Sequence, residues 1–217
     1  MDRAGAVALI VGSILYIGLM AVHPSHVGAP VLGHLSLSAL VHGTALAIAP
    51  VLAFGYFALA RRLGADRPLA MLGLSFALLG IVFGMLAGTM SGLVIPEIAE
   101  AGRVAQRHGE APIDPEALRA RLQALANYTV WVNRSLAQVH YAMFAVAMLL
   151  WSLAWTQHSL SGWVVRGLGA LMGVAVLVWQ LSGASNLEAR HGALMVTLAQ
   201  SLWTLIAASL LLAPRKL

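Results

Sequence analysis

There is no cysteine among the 217 residues of this chain. That excludes disulfides, thiolate metal sites, iron–sulfur clusters and haem attached through CxxCH. Charge is nearly as scarce: Asp, Glu, Lys and Arg make up 10% of the residues, against about a quarter in a soluble domain. Lysine occurs once, as Lys216, so a retinal-type Schiff base inside a membrane span is excluded too. There is no HExxH, no HxxxH pair and no pair of carboxylates within an apolar run, so none of the ready-made metal or acid–base motifs applies.

What the chain does have is apolar length. Hydrophobic residues make up 60% and the mean hydropathy is +0.84. A bilayer span needs about 20 apolar residues, and segments near 4–22, 31–60, 68–95, 128–155, 163–181 and 193–213 qualify. The fold expected is all-α: one polytopic membrane domain over residues 1–217 with six transmembrane helices. The first span lacks a small-residue cleavage site before His23 and is expected to persist as a helix. The net charge of +5 does not indicate nucleic acid, because Arg61, Arg62, Arg67, Arg166, Arg215 and Lys216 lie at the ends of spans. Positive loops stay inside, which places both termini in the cytoplasm of a bacterial inner membrane. His23, His26 and the connection over 96–127 then face outward.

That connection carries its own helix signal. Asp114-Pro115-Glu116 reads as an N-cap, a proline at the first helical position and an acidic first turn. Leu118, Leu122 and Leu125 follow at helical spacing. The expectation is an extracytoplasmic amphipathic helix, running on into the fourth span. Gly80, Gly84, Gly88 and Gly92 recur every fourth residue, as do Gly169 and Gly173, which reads as close helix packing in lipid. Pro50 should kink the second span and free a carbonyl one turn earlier. The segments VHGTALAIAP, VHYAMFAVAM and RHGALMVTLA begin alternate spans, which suggests three repeated helical hairpins.

The candidate site lies among these outer ends. His42 sits inside an apolar run, and an ionisable side chain at that depth is costly unless it faces a partner, cavity or ligand. His140 lies at a matching depth in the fourth span, and Asn133, seven residues earlier, shares its face. Arg134 belongs to a second stripe with Asn127, Gln138 and Tyr141. It either snorkels outward or anchors a carboxylate, haem propionate or phosphate. His191 begins the sixth span, with Glu188 three residues before it and Arg190 beside it. His42, His140 and His191 are candidate ligands for zinc, copper or iron. Alternatively, His42 and His140 are the axial pair of a haem b, with Gly43 giving room beside His42. In either case the expectation is one outward-facing, histidine-rich polar cavity holding both His42 and His140, for redox or metal-handling chemistry.

The AVHP that ends the first span, the histidine opening the second, its LAFGYFALARRLG exit and the polar end of the third resemble a functionally uncharacterised type of small bacterial six-helix integral membrane protein. The resemblance implies the fold and no activity. Members of that type often carry an acid near the end of the third span, where this chain has Ser91 and Gly92. Other readings stand beside the cofactor protein: a small-molecule or lipid transporter, an intramembrane enzyme using a histidine as acid or base on an apolar substrate, or a helper subunit docking a partner helix. The partners expected are the lipid bilayer, a small apolar or anionic ligand, and a second copy or another membrane protein.

Overall fold

The computed structural model describes all residues except 24–29, 33–34, 109–113, 157–158, 183–191 and 214–217. His26, His34, His158, Glu188, Arg190, His191, Arg215 and Lys216 therefore lie outside the described residues. Seven α-helices are described: α1 (Asp2–Ala21), α2 (Leu37–Gly64), α3 (Pro68–Thr89), α4 (Ile95–His108), α5 (Pro115–Ala154), α6 (Leu160–Leu181) and α7 (Leu194–Leu212). A π-helical turn, Met90–Val94, joins α3 to α4. Six of the helical stretches are long and apolar enough to cross a membrane, at the six places the hydropathy marks.

Two boundaries differ from expectation. The second helix begins at Leu37 rather than near residue 31. Pro30–Leu32 and Leu35–Ser36 pair instead as a short antiparallel ladder, strands β1 and β2. The third span does not end at Ile95: the helical stretch continues through the π-helical turn into α4, with Pro96 two residues beyond that turn. The expected helix at Asp114-Pro115-Glu116 is present. The Asp114 carboxylate accepts from the Glu116 backbone N–H at 3.1 Å, and the helix runs unbroken for 40 residues to Ala154. Its first turns pair with α4, where Leu122 packs beside Gly102.

The spans form a ring in the order α1, α2, α3, α5, α6, α7, with α7 returning to α1. The α6–α7 contact is the smallest around this ring, so packing does not divide it into three equal hairpins. Close approach comes from small residues: a Cβ on Gly5 would collide with Ala58, and one on Gly55 would lie 2.6 Å from Leu9. Without a hydrophobic driving force in lipid, such contacts carry the association.

An aromatic stack ties together the half of the bundle nearest Arg62 and Arg67. Tyr56 of α2 stacks on Trp151 of α5 at 5.4 Å, and Trp151 stacks on Trp203 of α7 at 5.9 Å. Each indole N–H is satisfied, Trp151 donating to the Ala70 carbonyl at 3.0 Å and Trp203 to that of Val165 at 3.1 Å. Gly73 and Gly169 make room for these rings. At the same end, Arg62 pairs with Asp2 at 2.9 Å and donates to the Ala213 carbonyl, while Arg67 donates to the Ala154 carbonyl and to Thr156. The arginines that mark topology therefore also satisfy carbonyls that helix ends leave without donors.

Candidate functional site

Between α1, α2, α3, α5 and α7 lies a cavity of about 830 Å³. His42 and His140 both line it, as do Asn133 and Arg134. The two histidines thus line one cavity, but it is mostly apolar rather than the polar cavity expected. Its walls are mostly aliphatic, with Leu46, Leu52, Ile81 and Met85 among them. Leu46 is also the residue whose carbonyl Pro50 leaves without its helical donor, although α2 continues through the proline.

Each histidine is held in the same way. The His42 ring donates through Nδ1–H to the Ser38 carbonyl at 2.7 Å, and the His140 ring donates through Nδ1–H to the Gly80 carbonyl at 2.7 Å. A carbonyl oxygen can only accept, so each neutral ring keeps its proton on Nδ1 and its lone pair on Nε2. For His42 that lone pair accepts from His23 Nε2–H at 3.1 Å; for His140 it faces the Tyr16 hydroxyl at 3.4 Å. His23 and Tyr16 are themselves lining residues. The Ser38 hydroxyl donates to the Ser91 carbonyl at 3.0 Å, which ties the His42 turn to the π-helical turn.

The glycine stripe of α3 does a different job from the one its spacing suggests. Gly80 packs on Phe144, as helix packing requires, but a Cβ on Gly84 would lie 2.8 Å from His140 Nδ1, and one on Gly92 would lie 2.5 Å from His42 Cβ. Two of these glycines are therefore spaces for imidazoles. A Cβ on Gly88 would meet only His42 and Leu46, each at 3.9 Å, and Gly88 lines the cavity. This corrects the expectation that Gly80, Gly84, Gly88 and Gly92 all serve close helix packing. Gly43 is corrected as well: the space around it is open, and the room beside His42 comes from Gly92.

The same contacts show that the two histidines sit at different levels. His140 rests against Gly80 and Gly84, His42 against Gly88 and Gly92. Eight residues of helix rise roughly 12 Å, and the seven from Tyr16 to His23 roughly 10 Å. Two nitrogens on one ion lie no more than about 4.2 Å apart, given bonds of 2.0–2.1 Å. His42 and His140 share a cavity, while the α3 glycines they rest against lie about two turns apart. Among the described residues no group of three His, Asp or Glu is placed to hold a metal ion, and the third expected ligand, His191, lies outside them.

The second stripe of α5 separates. Arg134 lines the cavity and is itself exposed, and Tyr141 is buried within hydrogen-bond distance of Thr197 at 3.3 Å. Asn127 instead accepts from Gln123 along the helix at 3.0 Å. The sequence reading missed the polar wall opposite. Thr197, Gln200 and Ser201 of α7 line the cavity, and Gln200 donates to the Tyr141 carbonyl at 3.2 Å. With Thr204, which lies 3.2 Å from the Tyr56 hydroxyl, they recur at the three- and four-residue spacing of one helix face. That stripe was open to a search for polar periodicity. Tyr16 and Tyr56, which also line the cavity, carry no such signal.

The chain matches no described protein family, no curated protein and no solved structure. Its function must be argued from these residues.

Proposed function

We propose that this is a multi-pass protein of a bacterial cytoplasmic membrane that binds one elongated, largely apolar small molecule in its interior cavity. Both termini are cytoplasmic in this reading and the cavity opens outward. The placement of Arg61, Arg62, Arg67 and Arg166 supports that orientation, and exposed aromatics mark where the spans meet the two interfaces. Tyr128 and Trp131 lie at the outer end of α5, and Trp163 lies under the Arg166 guanidinium at the inner end. Helices α4 and the start of α5 form the extracytoplasmic connection.

The observation that carries the reading is the pair of carbonyl-held imidazoles in one aliphatic cavity. The volume falls within the 300–1,000 Å³ typical of small-molecule sites. The lining runs from Val130 to Phe144 on α5 and from Ser38 to Tyr56 on α2, roughly 20–27 Å of helix rise. That shape suits a long molecule rather than a compact one. A ligand hydroxyl that displaces Tyr16 or His23 meets an Nε2 lone pair, either as a hydrogen-bond partner or as a base.

The test uses the Gly88 position. At Gly88 an added Cβ makes only ordinary contacts, 3.9 Å from His42 and from Leu46, and the ring of Gly88→Phe has the cavity to enter, so the change should abolish binding of an alkyl probe while the melting temperature stays near that of the wild type. Undiminished binding to Gly88→Phe would contradict the reading. A second reading, a porphyrin held by one histidine, draws on the same carbonyl contacts, because metal-ligating histidines commonly donate their other N–H in this way. A visible absorption band in the purified protein, lost in His140→Ala or in His42→Ala, would favour it.

A further inference from the structure

The cavity has a charged end. Arg134 lies three residues inward of Trp131 on α5 and is exposed at the cavity mouth, with half-buried Asn133 next to it. The lining contains no Asp or Glu, and Arg134 is its one fixed charge among the described residues. The two ion pairs found among those residues lie elsewhere, at Arg62 with Asp2 and at Arg103 with Glu100, and Arg134 has no hydrogen-bond partner among them. Beyond it the cavity deepens along α5 to Phe144, ten residues or about 15 Å of rise. That matches one leaflet of a hydrocarbon core about 30 Å thick.

We infer that the ligand is an anionic amphiphile, its carboxylate or phosphate at Arg134 and its hydrocarbon chain running toward Tyr16, Tyr56 and Phe144. This rests on the cavity-binding reading and adds the chemical class of the ligand. A guanidinium presents a fork of donors that fits a carboxylate or phosphate through two parallel bonds, and the Asn133 amide next to it supplies another donor. Among the described residues nothing acidic in the lining competes for that charge. The aliphatic walls favour the chain, and the Thr197 hydroxyl and Gln200 amide lie beside Tyr141, seven residues or about 10 Å of rise beyond Arg134 along α5, which leaves the arginine to the head group. An arginine that merely snorkels to bilayer phosphates would give the cavity no preference between charged and neutral ligands of one chain length.

Binding of palmitate, hexadecyl phosphate and hexadecanol to the full chain in phosphatidylcholine nanodiscs separates these cases. The wild type should bind both anions at least about tenfold tighter than the alcohol, as a charge-assisted pair allows. Arg134→Gln should lower both anions to the alcohol's level and leave the alcohol unchanged, whereas Arg134→Lys should keep most of the preference. Equal affinity for all three in the wild type, or an anion preference that survives Arg134→Gln, would overturn the inference and leave the cavity reading standing. Binding of all three unaffected by Gly88→Phe would remove the cavity reading and this inference with it.

Discussion

A single methyl group on Gly84 tests how the site is built. In Gly84→Ala the new Cβ lies 2.8 Å from His140 Nδ1 and 3.1 Å from Cε1, where an ordinary carbon contact is about 3.5–4.0 Å. The backbone of α3 is held by α5, so the imidazole must retreat by about 1 Å, and its 2.7 Å bond to the Gly80 carbonyl lengthens past a useful distance. Overpacking of this kind costs about 1–3 kcal/mol, and a buried N–H without its acceptor costs about 1–3 kcal/mol. Alanine recovers about 1 kcal/mol over glycine in a helix. The net expectation is a destabilisation of about 1–5 kcal/mol, read as a lower melting temperature in detergent. In a His140→Ala background the obstacle is gone, and the same methyl should be neutral or stabilising by about 1 kcal/mol. A stabilising Gly84→Ala in the wild-type background, or equal effects in both, would show that His140 does not rest on this glycine.

Trp203→Leu removes the end of the aromatic stack and its bond to Val165, and should cost about 3 kcal/mol or more in thermal unfolding. Tyr56→Phe deletes one hydroxyl beside Thr204 and should cost about 1 kcal/mol, far less than the tryptophan change. A reporter active only outside the cytoplasm, fused at either terminus, should be silent; activity at either end would reverse the orientation.

The spans were legible because hydropathy over about 20 residues is a bulk property that tertiary contacts barely alter. The start of α2 was not, since Val31, Leu32 and Leu35 are apolar whether they extend a helix or pair as strands. The cavity was legible from cost alone: His42 and His140 at depth had to meet something polar. Which partners they met was not, because Ser38 is a local contact but Gly80, Tyr16 and His23 depend on how helices face one another. The glycines show the limit best. One spacing of four residues serves a phenylalanine at Gly80, imidazoles at Gly84 and Gly92, and open space at Gly88, and periodicity cannot tell these apart. Equal depth estimates for His42 and His140 likewise said nothing of the helix between them, where the glycines they touch lie about two turns apart.

The most direct test of the central claim is to photolabel the protein in nanodiscs with an alkyl probe carrying a diazirine at the end of its chain, and to map the adducts by mass spectrometry. The account predicts adducts on cavity residues such as Leu46, Ala49 and Leu52, competed by unlabelled palmitate and lost in Gly88→Phe. Adducts confined to outward-facing residues such as Leu79, Val82 and Leu171, unchanged by competitor or by the Gly88 substitution, would contradict it.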